Sequence, residues 1–372
     1  MKFKFLVAIV VVAGLGFFAL QNRSEAPLVD AKNTNAANMS SAPKLGASSV
    51  LNIDPKIQSA PRAQAIAPKT SLSADMQLLR DKKDWPLLYQ RVKNGPQTSE
   101  ALYIQAELLE SCAKRPPSDD PKKVDESREI KREKFIKNLI GKDEQKSLRI
   151  TAYDALNVDA CGELRSIEYS KDEVARLAKA AAEAGNPIAR AWRLQVDIAK
   201  ASSDDYNMRN NIKPDATGKM PQRTDGYMMS DQQWAATREL LATGNPTVIA
   251  DLRAILSSSM TDGSIRIGPD KEPIENRAFY SALALAACDM GNDCGTTNTE
   301  LLSDCAYRNR CGANSLQDLT YFYDASPHDA QLVERYRQII LDAIRTGDFT
   351  NLDLIRGPQD RRSTFLFGNR RQ

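Results

Sequence analysis

Four of the six cysteines in this 372-residue sequence fall into two matched units, Cys288-Asp-Met-Gly-Asn-Asp-Cys294-Gly and Cys305-Ala-Tyr-Arg-Asn-Arg-Cys311-Gly. Thiols at such spacing either oxidise to bridges or, as thiolates, hold a metal. Structural zinc takes cysteines separated by about two to four residues, whereas five intervene in each unit, so bridges are the expectation and a four-cysteine zinc site the competing one. No Cys-x-x-Cys occurs, which speaks against a redox-active pair. Cys294 and Cys305 lie 11 residues apart, roughly 16 Å along a helix, and a bridge needs Cα atoms within about 7 Å. The spacing therefore favours the local pairs Cys288 with Cys294 and Cys305 with Cys311, leaving Cys112 and Cys161 to each other.

Other catalytic chemistry finds little support. The single histidine, His328, follows Ser326-Pro327 and precedes Asp329, an order that reads as a helix start: a capping serine, proline in the first turn and an acid near the positive end of the dipole. No Gly-x-Ser-x-Gly elbow and no glycine-rich phosphate loop is present. Ser41 to Lys44 and Ser111 to Lys114 match Ser-x-x-Lys without the companion motifs of penicillin-binding enzymes. Of the carboxylate pairs that could in principle cut glycosidic bonds, Asp119-Asp120 and Asp204-Asp205 are adjacent residues in polar loops and read as solvated. Glu110-Ser111 and Glu126-Ser127 have the Glu-Ser order of a lysozyme-like site, with no aromatic residue following either before Phe135. No catalytic residue, cofactor or metal ligand is assigned, and the expectation is a protein that is not an enzyme.

The elements around the cysteines set their redox environment. Lys2 and Lys4 precede an uncharged run of 16 residues, Phe5 to Leu20, the basic and apolar regions of an export signal. The run is short of the roughly 20 residues that span a membrane, but Lys4 can snorkel and lend Phe3 to it. Without a small-x-small site at Ala19-Leu20-Gln21, residues 1–22 are expected to remain as an inner-membrane anchor through residues 3–20, with cleavage to a soluble periplasmic form as the alternative. Residues 23–70 hold no aromatic residue and are rich in Ala, Ser, Asn and Pro, the composition of a disordered tether.

Residues 71–356 are long enough for one large domain or two small ones, with a possible sub-boundary near 165. Against 51 basic and 48 acidic side chains the net charge is only +3, which gives no general pull toward nucleic acid. The one basic cluster lies at the end, with Arg356 leading into a tail at 357–372 that holds Arg361, Arg362, Arg370 and Arg371. Helix signals recur throughout. Asp84 ahead of Trp85-Pro86 reads as an N-cap, and Asn94-Gly95-Pro96 as a stop. Leu102, Ala106 and Leu109 make one stripe on a helix running to Cys112. Residues 124–140 alternate charge densely, with Phe135, Ile136, Leu139 and Ile140 as the apolar face of a largely exposed helix.

A repeat follows. Ser170-Lys-Asp-Glu173 reads as a capping box whose helix stops at Gly185-Asn186-Pro187 and restarts as Ile188 to Lys200. Ser230-Asp-Gln-Gln233 does the same up to Gly244-Asn245-Pro246, with Thr247 to Ser258 beyond. A third helix, from about Glu275, ends at Gly291-Asn292-Asp293. Three such units predict stacked antiparallel helix pairs.

The stretch from Ala178 to Leu194, alanines followed by Gly185-Asn186-Pro187 and a second alanine-bearing helix, resembles the Sel-one-like and tetratricopeptide helical repeats. The match is good over that unit and loose over 230–258 and 275–310. With its export signal and paired Cys-x5-Cys-Gly, the chain is also similar to a group of exported proteins of Gram-negative bacteria. The resemblance implies an all-α α-solenoid facing the cell envelope, of a kind that binds proteins rather than catalysing.

Long segments without a helical period are then the places to look for a partner site. Residues 202–229 carry Tyr206, Met208, Arg209, Tyr227, Met228 and Met229, residue types enriched at interfaces. Thr261 to Pro273, with Ile265 and Ile267 alternating about Arg266, predicts a short hairpin on the same side. The functional expectation is a periplasm-facing scaffold that mediates protein–protein interaction with an envelope protein, with no nucleic-acid partner and no small-molecule substrate. The alternatives are a peptidoglycan-acting enzyme using a carboxylate and a purely structural exported protein.

Overall fold

Serine and asparagine side chains set the helix starts, each satisfying backbone N–H groups that the first turn leaves open. Asn186 Oδ1 accepts from the N–H of Ile188 and Ala189 at 3.0 and 2.9 Å, and Asn245 Oδ1 does the same for Thr247 and Val248. A proline occupies the first helical position after both. Ser230 with Gln233 and Ser326 with Asp329 form complete capping boxes. The computed structural model describes residues 72–112, 128–139, 145–167, 169–215, 218, 220–222 and 224–357, all within one compact unit. The expected anchor, tether and basic tail lie outside the described residues, as do Ser41, Lys44, Lys114, Asp119-Asp120 and Glu126-Ser127.

Among the described residues there are thirteen α-helices: α1 Ala74–Arg80, α2 Trp85–Asn94, α3 Ser99–Cys112, α4 Arg128–Asn138, α5 Lys146–Leu156, α6 Lys171–Glu183, α7 Pro187–Arg209, α8 Asp231–Ala242, α9 Pro246–Leu256, α10 Asn276–Asp289, α11 Thr299–Arg308, α12 Leu316–Asp318 and α13 Pro327–Thr346. A 3-10 turn, Gly162–Ser166, precedes α6, and a π-helical turn, Leu319–Asp324, follows α12. The protein is mostly helical, as its capping and periodicity predict. α2 packs on α3, α3 on α6, α6 on α7, α7 on α9, α9 on α10 and α10 on α13, with α8 against α7 and α9. Two pairs depart from this sequence order: α5 packs on α11, and α8 also meets α13.

The core is thickest where α10 meets α13. Phe279, Ala282, Leu283 and Ala286 on α10 are buried, as are Val333, Tyr336, Ile340 and Ile344 on α13, and the Phe279 and Tyr336 rings meet edge to face with centroids 6.0 Å apart. Burying a side chain such as Phe279 stabilises the fold by roughly 1.5–3 kcal/mol.

All six cysteines are bridged. Cys112 joins Cys161, Cys288 joins Cys294 and Cys305 joins Cys311, with Cα separations of 5.2, 5.7 and 4.3 Å. The expected pairs are formed, and the competing zinc reading for the four C-terminal cysteines is set aside, since all four sulfurs are bridged. Each short bridge ties the end of a helix, α10 or α11, to the chain that leaves it.

Two local expectations are corrected and a third, the hairpin, is extended by a further strand. Residues 202–209 are the last turns of α7 rather than part of a long loop. Lys200 with Asp204 and Asp205 with Arg209 form i,i+4 ion pairs, and the Ser202 hydroxyl returns a hydrogen bond to the Ile198 carbonyl, so polar residues extend the helix without an apolar stripe. Asp84 stands at the N-cap of α2 but has φ +49 and makes no capping bond with its side chain. The expected hairpin belongs to a three-stranded antiparallel sheet of order β2-β1-β3, with β1 Gly263–Ile267, β2 Glu272–Pro273 and β3 Leu352–Arg356. β3 pairs with β1 in the register Ile265 to Leu354 and Ile267 to Leu352, covering a strand whose isoleucines are buried.

Candidate functional site

The six residues singled out as a partner surface are divided by the fold. α7 carries Tyr206, Met208 and Arg209 to its C-terminal end, where Met208 is 73% exposed. Arg209 donates to Asp205 at 2.7 Å and, through both terminal nitrogens, to Asp225 at 3.0 and 3.3 Å, which holds the Asp225 carboxyl below its usual range. The returning chain is pinned to α7 by buried polar groups. Asn207 donates to the Pro221 carbonyl at 2.8 Å, and Ser202 accepts from the Met228 N–H at 2.7 Å. Tyr227 bridges to Met260 in a two-residue parallel contact, and burial raises its phenol pKa.

Met229 is fully buried and accepts from the Thr237 hydroxyl at 3.7 Å. It is a core residue in the described structure. Met208 and Arg209 face solvent, while Tyr206, Tyr227 and Met228 are partly buried beside them.

A second constellation was not singled out from the sequence. Tyr103, Glu107 and Glu110 share one face of α3 at i, i+4 and i+7; Tyr103 and Glu107 interact electrostatically with Asp251 of α9, and Glu110 with Glu107 and Tyr103. Burial and the nearby Glu107 charge push the Asp251 carboxyl up to about 7, with Arg253 opposing. Burial and Glu110 likewise raise Glu107, although a 3.3 Å hydrogen bond from Ser111 works the other way. Arg253 bonds Glu300 of α11 at 2.9 Å and lies 4.2 Å from the centroid of the Tyr280 ring. The arrangement is a recessed acidic face bounded by α3, α9 and α11, in which Asp251 is pushed up to about 7 and Glu107 is raised in the same direction.

A third feature is a groove of about 850 Å³ between one face of α8 (Ala235, Arg238, Glu239, Ala242) and the segment carrying Asp348 and Asp353. Its charges are mixed. The described residues contain no group of three or more His, Cys, Asp or Glu placed to hold a metal ion, and no helix among them is long and apolar enough to cross a membrane.

Glu110 and Ser111 lie in the last turn of α3. His328 lies in the first turn of α13, inside the Ser326–Asp329 capping box. Comparison of the chain with protein-family models, curated proteins and solved structures finds no match. Of the acidic face, Tyr103-x3-Glu107-x2-Glu110 was legible as one stripe of α3. Its approach to Asp251 depends on tertiary packing and leaves no trace at the spacing of the residues.

Proposed function

We propose that this chain is a periplasm-facing scaffold of stacked antiparallel helix pairs that mediates protein–protein interaction in the cell envelope, held to the inner membrane through residues 3–20. The observation that carries this reading is the order of packing. Along α2, α3, α6, α7, α9, α10 and α13 each helix contacts the next in sequence order, as expected of quasi-one-dimensional helical repeats, with α5 on α11 and α8 on α13 outside that order, and the Gly-Asn-Pro turn recurs at 185–187 and 244–246. That is also the support for a Sel-one-like or tetratricopeptide-like solenoid. Three disulfides fit an oxidising compartment. The exposed end of α7, with Met208 and Arg209 beside Tyr206, is the partner surface. An unbranched thioether and a guanidinium presented together suit a protein partner.

The test is site-specific photocrosslinking in intact cells from a photoreactive side chain at position 208, with one at the exposed position 87 as control. A discrete adduct from 208 and none from 87 supports the scaffold. Equal, diffuse labelling from both positions removes the surface from the reading.

One observation favours a second reading, the carboxylate enzyme acting on peptidoglycan. Asp251 held near 7 has the proton affinity that a general acid needs at neutral pH. Muropeptide release by the purified protein, abolished in Asp251→Asn, would establish that reading, and no release from the oxidised protein would end it.

A further inference from the structure

Five charged side chains line the groove between α8 and residues 347–353: Arg238, Glu239, Lys271, Asp348 and Asp353. Three of them are already answered. Glu239 accepts from Arg190 at 2.8 Å. Lys271 donates to the Thr350 carbonyl and lies beside Asp348, whose Oδ1 takes the Thr350 N–H at 2.9 Å. Arg238 and Asp353, both half-buried, form no ion pair among the described residues.

Both are placed by one side chain. Trp234 is only 5% exposed, so its ring is fixed by packing. The Arg238 guanidinium, one turn further along α8, lies 6.0 Å from the centroid of that ring. The indole Nε1 donates to Asp353 Oδ1 at 3.1 Å, and the Leu354 N–H donates to the same oxygen at 2.9 Å, which leaves Oδ2 without a donor among the described residues. A cation and an anion are thus held on the two walls of one groove. The 6.0 and 3.1 Å contacts and the width of an indole, about 3 Å, put them no more than about 12 Å apart.

A ligand must answer both charges. The groove holds about 850 Å³, a volume that would suit a small molecule, but small-molecule sites bury their ligand, and here Ala235, Pro269, Thr350 and Asn351 are exposed along the rim. An open groove fits a segment of chain lying across it. Extended chain advances about 3.3 Å per residue, so charges two or three residues apart match the spacing of Arg238 and Asp353. The exposed Asn351 amide makes no side-chain bond among the described residues and lines the same groove, where it can meet the main chain of such a segment.

We propose that this groove binds an extended peptide segment of a partner protein that carries an acidic and a basic side chain two or three residues apart, the carboxylate on Arg238 and the ammonium on Asp353. A guanidinium meets a carboxylate as a planar fork, and one already placed against Trp234 gives up little freedom on binding. The proposal rests on the scaffold reading in taking a protein as the ligand. The groove is a different place from the exposed end of α7, so crosslinking from position 208 and binding here can fail separately.

The experiment is an NMR titration of the oxidised full-length protein, read at the Trp234 indole N–H, with acetylated and amidated Ala-Glu-Ala-Lys-Ala and Ala-Lys-Ala-Glu-Ala, and with Ala-Gln-Ala-Gln-Ala as the neutral counterpart. At least one of the two charged peptides shifts the indole resonance and binds about tenfold or more tighter than the neutral one, less so as salt is raised. Arg238→Ala removes that preference. Arg238→Lys, which keeps the charge without the fork, retains part of it and serves where the alanine variant disturbs folding. Arg238→Glu turns the preference toward Ala-Lys-Ala-Lys-Ala, a reversal that a merely structural role of Arg238 would not produce. The proposal is overturned if the neutral peptide binds as tightly as the charged ones, if no peptide moves the indole resonance, or if Arg238→Glu leaves the order of the peptides unchanged.

Discussion

Arg337 of α13 grips Asp289 at the end of α10 with two parallel hydrogen bonds, Nε to Oδ2 and Nη2 to Oδ1, each 2.6 Å. Both side chains are largely buried, and Asp289 adjoins the bridged Cys288, so the pair fixes the disulfide-bearing exit of α10 against the longest C-terminal helix. A planar fork meets a carboxylate in this way and an ammonium does not.

Arg337→Ala leaves the Asp289 charge without its partner in a half-dry site and is expected to lower unfolding free energy by about 2–4 kcal/mol. Arg337→Lys should recover only part of that loss. Urea unfolding of the two variants checks the order, and a lysine variant equal to wild type would show that charge alone suffices.

The bridges should rank by the loops they close. In the chain-entropy account a loop of about 50 residues contributes about 4 kcal/mol and one of about 7 residues about 2. Replacing Cys112 and Cys161 together by alanine is therefore expected to lower the melting temperature more than replacing either short pair, as calorimetry of the three double variants would show.

The two short pairings were readable because they rest on spacing and helix rise, and Cys112 with Cys161 followed as the remaining pair. So were the starts of α7, α9 and α13, where Asn186, Asn245 and Ser326 do locally what their sequence neighbours announce. The end of α7 was not: Ser202 to Arg209 has no apolar period, and its helix is held by ion pairs and by Asn207 and Ser202 reaching the chain at 221–228. Met229 is of an interface-enriched type yet is core, because composition does not tell which side of a chain the next helix will cover. β3 was missed for a similar reason. Leu352 and Leu354 alternate over only five residues, too few to read as a strand until β1 is placed beside them. The Glu107–Asp251 approach joins positions 144 residues apart (251 − 107), and no local rule reaches that far.

Stability should fall with rising pH through the range in which Asp251 ionises. Its folded pKa, about 7, lies above the ordinary 3.8, so its stabilising contribution is full below about pH 4 and is lost as pH climbs to about 7. Burial and the neighbouring Glu110 charge shift Glu107 in the same direction. Asp251→Asn is expected to flatten this slope and to be about 1–3 kcal/mol more stable than wild type at pH 8. Thermal melts from pH 4 to 9 decide it, and parallel profiles for the two proteins would refute the assignment.

Gly263 has its backbone where a Cβ would come within 2.7 Å of the Ile355 carbonyl oxygen on the paired strand. Backbone cannot swing aside as a side-chain tip can, so Gly263→Ala is expected to cost about 1–3 kcal/mol and to free β3 first. Hydrogen exchange at Asp353 and Ile355, the residues whose N–H groups face β1, would report it. Unchanged protection there would mean that the sheet yields more easily than its register implies.

The reading of the molecule as an exported, oxidised scaffold rests most directly on the state of its thiols in the cell. Alkylation of intact cells followed by non-reducing peptide mapping measures it. The account predicts three linkages, Cys112 to Cys161, Cys288 to Cys294 and Cys305 to Cys311, with no alkylated cysteine. Alkylated thiols at these positions in freshly quenched cells would contradict it.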